Sequence, residues 1–195
     1  MSKAIFLSVR PENVLNILNG DKTLELRKRV PKGFVGWVYL YVTKAEPILC
    51  KFNNSYYDLL SDKFRIINKV EKLNSKVVAR FWFDEYKIIE RDSAGNYYNN
   101  NDITNIMKLS CLGYEQIHEY ANGKKHLYAW HIKKLEIFDE PKALSEFEYF
   151  KGCTKKQIKL YNRGFVRHNV RLVYVTKAPQ SYMYVEVEEW LKNKK

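Results

Sequence analysis

FLSVRPENVLNILNGDKTLELRKRVP, residues 6–31, reads as a strand, a helix and a second strand in immediate succession. The run AIFLSV (4–9) has the short, uninterrupted apolar character of a buried strand. Pro11 suits a first helical position, where its missing N–H is no loss, and Glu12 sets a carboxylate near the positive end of the helix. Val14, Leu15, Ile17 and Leu18 form one apolar stripe, which Gly20 ends. Thr23, Glu25, Arg27 and Arg29 then alternate with Leu24 and Leu26. A period of two puts the leucines on one strand face and the polar row on the other, its successive members ~7 Å apart. Two readings fit: a solvated ladder of charges, or the wall of a polar cleft.

Two neighbours bear on that choice. Arg10 sits where the first strand meets the helix, and Lys22 where the helix meets the second strand. In a small barrel such junctions converge at one end. A site there would combine cations for a phosphate or carbonyl with Glu25 as a base. As an open cleft wall, the row should tolerate Glu25→Gln or Arg27→Ala at a cost within about 0.5 kcal/mol.

Outward from this stretch, KGFVGWVYLYVTK (32–44) is a strand with Val38, Leu40 and Val42 on one face and Trp37, Tyr39 and Tyr41 on the other. Residues 51–75 form a polar excursion with a short helix. A strand over 75–89 follows, with Val77, Ala79, Phe81 and Phe83 sharing a face. SAGNYYNNND (93–102) has loop chemistry. One or two short helices around Gly113 occupy 103–121, and a long strand spans 125–138. A brief helix lies near ALSEF, and a strand and terminal helix close the chain. Strands with helices inserted between them predict an α+β fold, a small mixed β-barrel with inserted helices and a basic C-terminal extension. The expected boundaries are 1–148 for the core, 149–177 for a basic insertion and 178–195 for the closing segment of the same domain.

The chain carries 34 Lys or Arg against 22 Asp or Glu, a net charge of +12. Such an excess favours polyanions through counterion release and long-range steering. With 46% apolar and 15% aromatic residues, 195 residues suffice for one compact core. No run approaches the ~18 apolar residues of a membrane helix, so no membrane partner is expected. MSKAIFLSVRPEN at the N-terminus has one lysine and a very short apolar run, unlike a signal peptide. Cys50, Cys111 and Cys153 are odd in number and far apart, which argues against a disulfide framework and for a reducing, cytoplasmic setting.

Metal and cofactor signatures are missing from the sequence. His126 and His131, five apart, would face opposite sides of a strand, and Gly113 interrupts any helix joining Cys111 to His118. There is no CxxC, no HExxH and no glycine-rich phosphate loop, so neither a metal nor a cofactor is expected. Residues 149–177 hold eight Lys or Arg and no acid. Within them Lys155, Lys159, Arg163, Arg167 and Arg171 recur every four residues, which on a helix makes a basic stripe over an inner face of Ile158, Tyr161 and Phe165. That stripe suits the phosphates of a nucleic-acid backbone, or is simply a solvated face. Trp37, Tyr39 and Tyr41 are either core or a base-stacking surface. Trp130 and His131 read as packing plus one polar group facing a cleft. Gln180 and Ser181, after Pro179, form a polar loop fit for ligand contact.

FLSVRPENVLNILNGDKTLELRKRVP followed by VYLYVTKAEPI resembles the ASCH domain, a PUA-like β-barrel. YAWHIKKLEIFDEPKALSEF and APQSYMYVE resemble later parts of a long ASCH subgroup common in bacteria and phages. The likeness covers roughly 4–48, 75–147 and 178–186. It implies a cleft over the barrel mouth that binds RNA or a modified nucleotide, held by Arg10, Lys22, Thr23, Glu25, Arg27, Arg29, Gln180 and Ser181. Some small ASCH proteins are amidohydrolases that deacetylate acetylcytidine with a lysine, a threonine and a distal glutamate. The lysine corresponds to Lys22, the threonine position holds Glu25, and the distal glutamate falls somewhere in 95–119. An enzyme of this fold, amidohydrolase or nuclease, would use Lys22 and Glu25 as catalytic groups. A third reading is a regulator that reads duplex DNA through the basic stripe.

Overall fold

The computed structural model describes residues 2–52, 55–58, 71–98, 103–163 and 170–187. Strand β1 (Ser2–Val9) buries both faces: Ile5, Leu7 and Val9 enter one apolar cluster, Ala4 and Phe6 another. A strand apolar on both sides belongs inside a sheet covered on both faces. Accordingly β1 is central in a seven-stranded sheet, parallel to β3 (Gly36–Val42) and antiparallel to β14 (Tyr182–Val187). The sheet continues beyond β3 with β7 (Val77–Phe83) and β11 (Lys133–Lys142), and beyond β14 with β12 (Glu148–Phe150) and β13 (Leu172–Tyr174).

The parallel β1–β3 pair requires a crossover, and the opening stretch supplies it. Helix α1 (Pro11–Leu18) lays Val14, Ile17 and Leu18 on the sheet. Strand β2 (Leu24–Arg27) then leaves for a second, four-stranded sheet with β10 (His126–His131), β8 (Tyr86–Arg91) and β9 (Tyr97–Tyr98). Here Leu24 and Leu26 meet a different core from that of α1. They pack with Ile89, Leu127 and Ala129 against Ile106 of α2 (Ile103–Ser110) and Ile117 and Ala121 of α3 (Tyr114–Ala121). Gly113 caps α3, and its N–H donates to Gln116 Oε1 at 2.8 Å, so the predicted interruption is a true helix boundary. A small third sheet holds β4 (Leu49–Phe52), β5 (Ser55–Asp58) and β6 (Glu71–Lys72).

The structure is mixed α+β, with one large sheet and few helices. Among the described residues the large sheet runs from β11 to β13 without closing on itself, so the expected barrel is not seen as a closed ring of strands. The β3 faces are as predicted: Val38, Leu40 and Val42 in one cluster, Tyr39 and Tyr41 in the other with Trp37 against them. These aromatics are core, not a stacking surface.

Three expectations about strands change. The strand expected over 75–89 is two, β7 in the large sheet and β8 in the small one, because the chain leaves strand geometry at Asp84 and Glu85. The long strand over 125–138 is two strands in two sheets: β10 ends at His131, and β11 starts at Lys133, which already pairs with Trp82. Just inside β11, Lys134 takes φ 45° and the pairing skips between Lys133 and Glu136, a bulge immediately after the change of sheet. Val77 does not share a face with Ala79, Phe81 and Phe83; a register shift opposite Leu40 and Tyr41 moves it to the second cluster.

The brief helix near ALSEF is a 3-10 turn over Leu144–Glu146. The helix expected within 51–75 and the terminal helix fall on or beside residues 59–70 and 188–195, outside the described residues. Cys50, Cys111 and Cys153 form no disulfide with one another. Among the described residues no helix is long and apolar enough to cross a membrane.

Candidate functional site

Where the two larger sheets approach, the end of β1, the start of α1, β2, the segment after β3, α3 and the 180–181 loop enclose a cleft of about 1160 Å³. Its lining includes Arg10, Lys22, Glu25, Arg27, Arg29, Gln180 and Ser181. Residues 170 positions apart in sequence thus meet because β1 pairs with β14, and Ser8 N donates to Ser181 O at 3.0 Å. Thr23 does not line the cleft. Its backbone is engaged instead, its N–H donating to Leu109 O at 2.9 Å and its carbonyl accepting from Ile132 N at 3.0 Å.

The charged row of β2 is not a solvated ladder: Glu25, Arg27 and Arg29 line the cleft, the first two as a buried floor rather than an open wall. Lys22, Glu25 and Arg27 are 2%, 5% and 8% exposed. Glu25 bridges the two cations, with Oε1 2.8 Å from Arg27 Nη2 and Oε2 3.5 Å from Lys22 Nζ. Lys22 Nζ also donates to Ser110 O at 2.5 Å, and Arg27 Nη2 donates to Ser8 O at 2.8 Å. Burial overturns the expectation that Glu25→Gln and Arg27→Ala cost little, since removing one member of a buried ion pair leaves a charge uncompensated. Arg29 lies beyond the end of β2 and is exposed, as is Arg10, whose Nη1 is 4.0 Å from Glu12 Oε1.

Three polar atoms of cleft-lining residues are buried without a protein partner: Ser8 Oγ, Arg27 Nε and Thr43 Oγ1. Buried polar groups are normally satisfied, and each one left over costs on the order of 1–3 kcal/mol. Together they are a donor and two hydroxyls that can donate or accept, backed by a buried ionic triad and fronted by exposed cations.

Helix α3 supplies a wall that the sequence did not announce. Gln116, Glu119, Tyr120 and Lys124 line the cleft. Burial pushes the Tyr120 hydroxyl above the ordinary phenol range, while the Arg27 charge draws it back. Lys28 Nζ lies over the Tyr120 ring at 5.2 Å. Spacing gave a hint: in YEQIHEYA, Gln116, Glu119 and Tyr120 fall on one side of a helix whose other side carries Ile117 and Ala121. Of the described acids in 95–119, Glu119 is the one that lines the cleft.

Other candidates separate from this site. Trp130 is fully buried core, packing on Phe83 and Tyr182. His131 is not cleft-facing. Its Nδ1 lies 2.8 Å from Glu85 Oε1 at the surface, where Asp84, Glu85 and His131 bring ligand-type atoms within 4.8 Å of one another. Lys133 Nζ sits on both carboxylates there, 3.0 Å from Asp84 and 3.2 Å from Glu85, which supplies the cluster with a cation of its own. Glu85 is held below the ordinary carboxylate range by the His131 hydrogen bond and then by Lys133.

Among the described residues one helix carries only the first part of the basic stripe. Helix α4 spans Lys155–Asn162 with Arg163 as its C-terminal cap, and Lys159 and Arg163 are exposed. Thr154 opens it, Oγ1 accepting from Gln157 N at 3.2 Å while Thr154 N donates to Gln157 Oε1 at 2.8 Å. The Lys155 side chain, Phe165 and Arg167 lie outside the described residues. Arg171, next to β13, is exposed, and Lys151 N donates to its carbonyl at 2.9 Å.

No family model matches the chain, and no curated protein matches it. Its structure is similar to two crystal structures from Zymomonas mobilis, one of ASCH at a TM-score of 0.52 and one of its serine-to-alanine mutant at 0.54. Each is 16% identical, and the match covers 97% of this chain and 92% of the other. The chain therefore has an ASCH-type fold.

Proposed function

We propose that this ASCH-type chain binds RNA or a modified nucleotide in the cleft between its two larger sheets. The observation that carries the reading is the set of unpartnered polar atoms on Ser8, Arg27 and Thr43 in a cleft rimmed by Arg10 and Arg29. A nucleotide has the matching parts: a base edge for the buried donor and hydroxyls, and a phosphate for the exposed cations. The net charge of +12 favours the same class of ligand at long range. The PUA-like barrel geometry belongs to the same reading, with the cleft at its mouth.

Lys22 acts here as an anchor. It donates to Ser110 O and forms an ion pair with Glu25, so it organises the floor and fixes the carboxylate. One observation favours a second reading, hydrolysis of an amide on a nucleoside: Lys22, Glu25 and Glu119 all line the cleft. The test compares wild type with Arg10→Ala, Arg29→Ala and Thr43→Val for affinity to a short fluorescent RNA and to nucleoside monophosphates, and assays acetate release from acetylcytidine. We expect each variant to weaken binding about tenfold, with an unfolding midpoint unchanged in Arg10→Ala and Arg29→Ala and unchanged or raised in Thr43→Val, and Lys22→Arg to keep most of the affinity. Equal affinity in all the rim variants would overturn the cleft as the binding site. Acetate turnover that vanishes in Lys22→Arg would establish the hydrolase instead.

A further inference from the structure

The face of the small sheet that carries Glu25 and Arg27 does not end at the cleft. Pairing in an antiparallel sheet puts directly opposed residues on one face. Arg27 is opposed by Tyr128 and Tyr128 by Ile88; Glu25 is opposed by Trp130 and Trp130 by Tyr86. The opposite face carries Leu24, Leu26, Leu127, Ala129 and Ile89 and is buried under α2 and α3. From the cleft floor outward, the first face therefore passes from ions to aromatics. Tyr128 is half-buried and Tyr86 is 40% exposed. Their rings meet edge-to-face, with centroids 5.6 Å apart and planes at 71°. Tyr128 stands one strand spacing, ~5 Å, from Arg27.

We infer that this face is a stacking platform for the nucleotides flanking the one in the cleft, so that the ligand is a single-stranded RNA rather than a free nucleotide or a duplex. The inference rests on the cleft reading above. Perpendicular rings form a corner: a base that stacks on one ring meets the other edge-on, as aromatic pairs prefer. Stacking on such rings is sequence-tolerant, because every base has a π-face, and it needs bases that are not already paired. Charge orients the strand. The cleft side of the platform carries Lys28, Arg29 and Arg10, whereas the far side carries Glu90 and the Asp84 and Glu85 carboxylates, whose pairing with Lys133 leaves that lysine already neutralised. Phosphates thus belong along the cleft rim, and bases point across Tyr128 toward Tyr86.

The experiment measures affinities of the full chain for a nucleoside monophosphate, a short single-stranded RNA, the same sequence as DNA and its RNA duplex. It uses wild type, Tyr86→Leu with Tyr128→Leu, and Tyr86→Phe with Tyr128→Phe. The leucines keep the apolar packing of Tyr128 against the core, and the phenylalanines keep the rings. The expected result is a loss of about tenfold or more for the single strands in the leucine variant. The monophosphate affinity stays unchanged, and the phenylalanine variant restores the single-strand affinity. Equal weakening for RNA and DNA single strands means that the platform reads any unpaired strand, and a larger RNA effect means that the sugar is read as well. The platform is overturned if the leucine variant binds single strands as wild type does, if it loses the monophosphate equally, or if duplex binds as tightly as single strand. Wild type that binds the monophosphate without gain from a longer strand rejects the platform alone, whereas wild type that binds neither rejects the cleft reading too.

Discussion

Glu25 touches two cations, Lys22 and Arg27, and its position is the sharpest residue-level consequence of the fold. Glu25→Gln keeps the shape but leaves Lys22 and Arg27 facing each other without a counter-charge, at 2% and 8% exposure. The expected cost is about 3 kcal/mol, read as a lower denaturant midpoint at unchanged slope. A loss below about 0.5 kcal/mol would mean that the triad is solvated after all. Glu186 is the opposite case. It is 8% exposed with Oε2 unpartnered, and it sits across from Lys3 on one side and Glu148 on the other. Burial raises its pKa, with Lys3 pulling it back. An acid whose folded pKa lies above its unfolded value destabilises the fold wherever it is ionised, and that penalty fades as pH falls through the folded pKa. Glu186→Gln should therefore raise stability at neutral pH by about 1 kcal/mol. The gain should shrink on acidification and disappear below the ~4.3 of an unfolded glutamate. Urea melts of both proteins across that range check it, and a variant less stable at neutral pH would contradict it.

At the scale of elements, the helices follow their local signals. Pro11 and Glu12 open α1, Gly113 separates α2 from α3, and the Thr154–Gln157 reciprocal cap opens α4. Lys159 and Arg163 extend from α4 into solvent. If they meet phosphates, Lys159→Glu with Arg163→Glu should flatten the log–log salt dependence of single-strand binding by roughly 0.7 per lost contact, for all sequences alike. An unchanged slope would mark the helix as a bystander. Strands were less legible. The 125–138 run looks continuous because its alternation persists, yet it passes from one sheet into the other at Ile132, and Lys134 bulges just beyond. A positive φ at lysine has no signature in composition. The register shift that carries Val77 to the second core depends on its partner strand rather than on its own residues.

For the whole molecule, the alternation in LELR told which side chains share a face, and the chain's charge told what class of partner to expect. Local chemistry was enough for that, because a period of two is fixed by the pleat and net charge by counting. The likeness of the opening stretch to ASCH domains pointed to the fold that the structure has. What sequence could not convey was which core each face would meet. Leu24 and Leu26 pack under two helices that begin some 80 residues later, and Lys22 finds its carbonyl on Ser110, 88 residues away. Glu25 is an ordinary strand carboxylate until the cleft closes around it, and Glu119 is an ordinary helix acid until α3 is laid along β2. Those outcomes belong to tertiary structure, because burial, the pairing of charges and the presence of unsatisfied polar atoms depend on neighbours brought together only by the packing of distant segments.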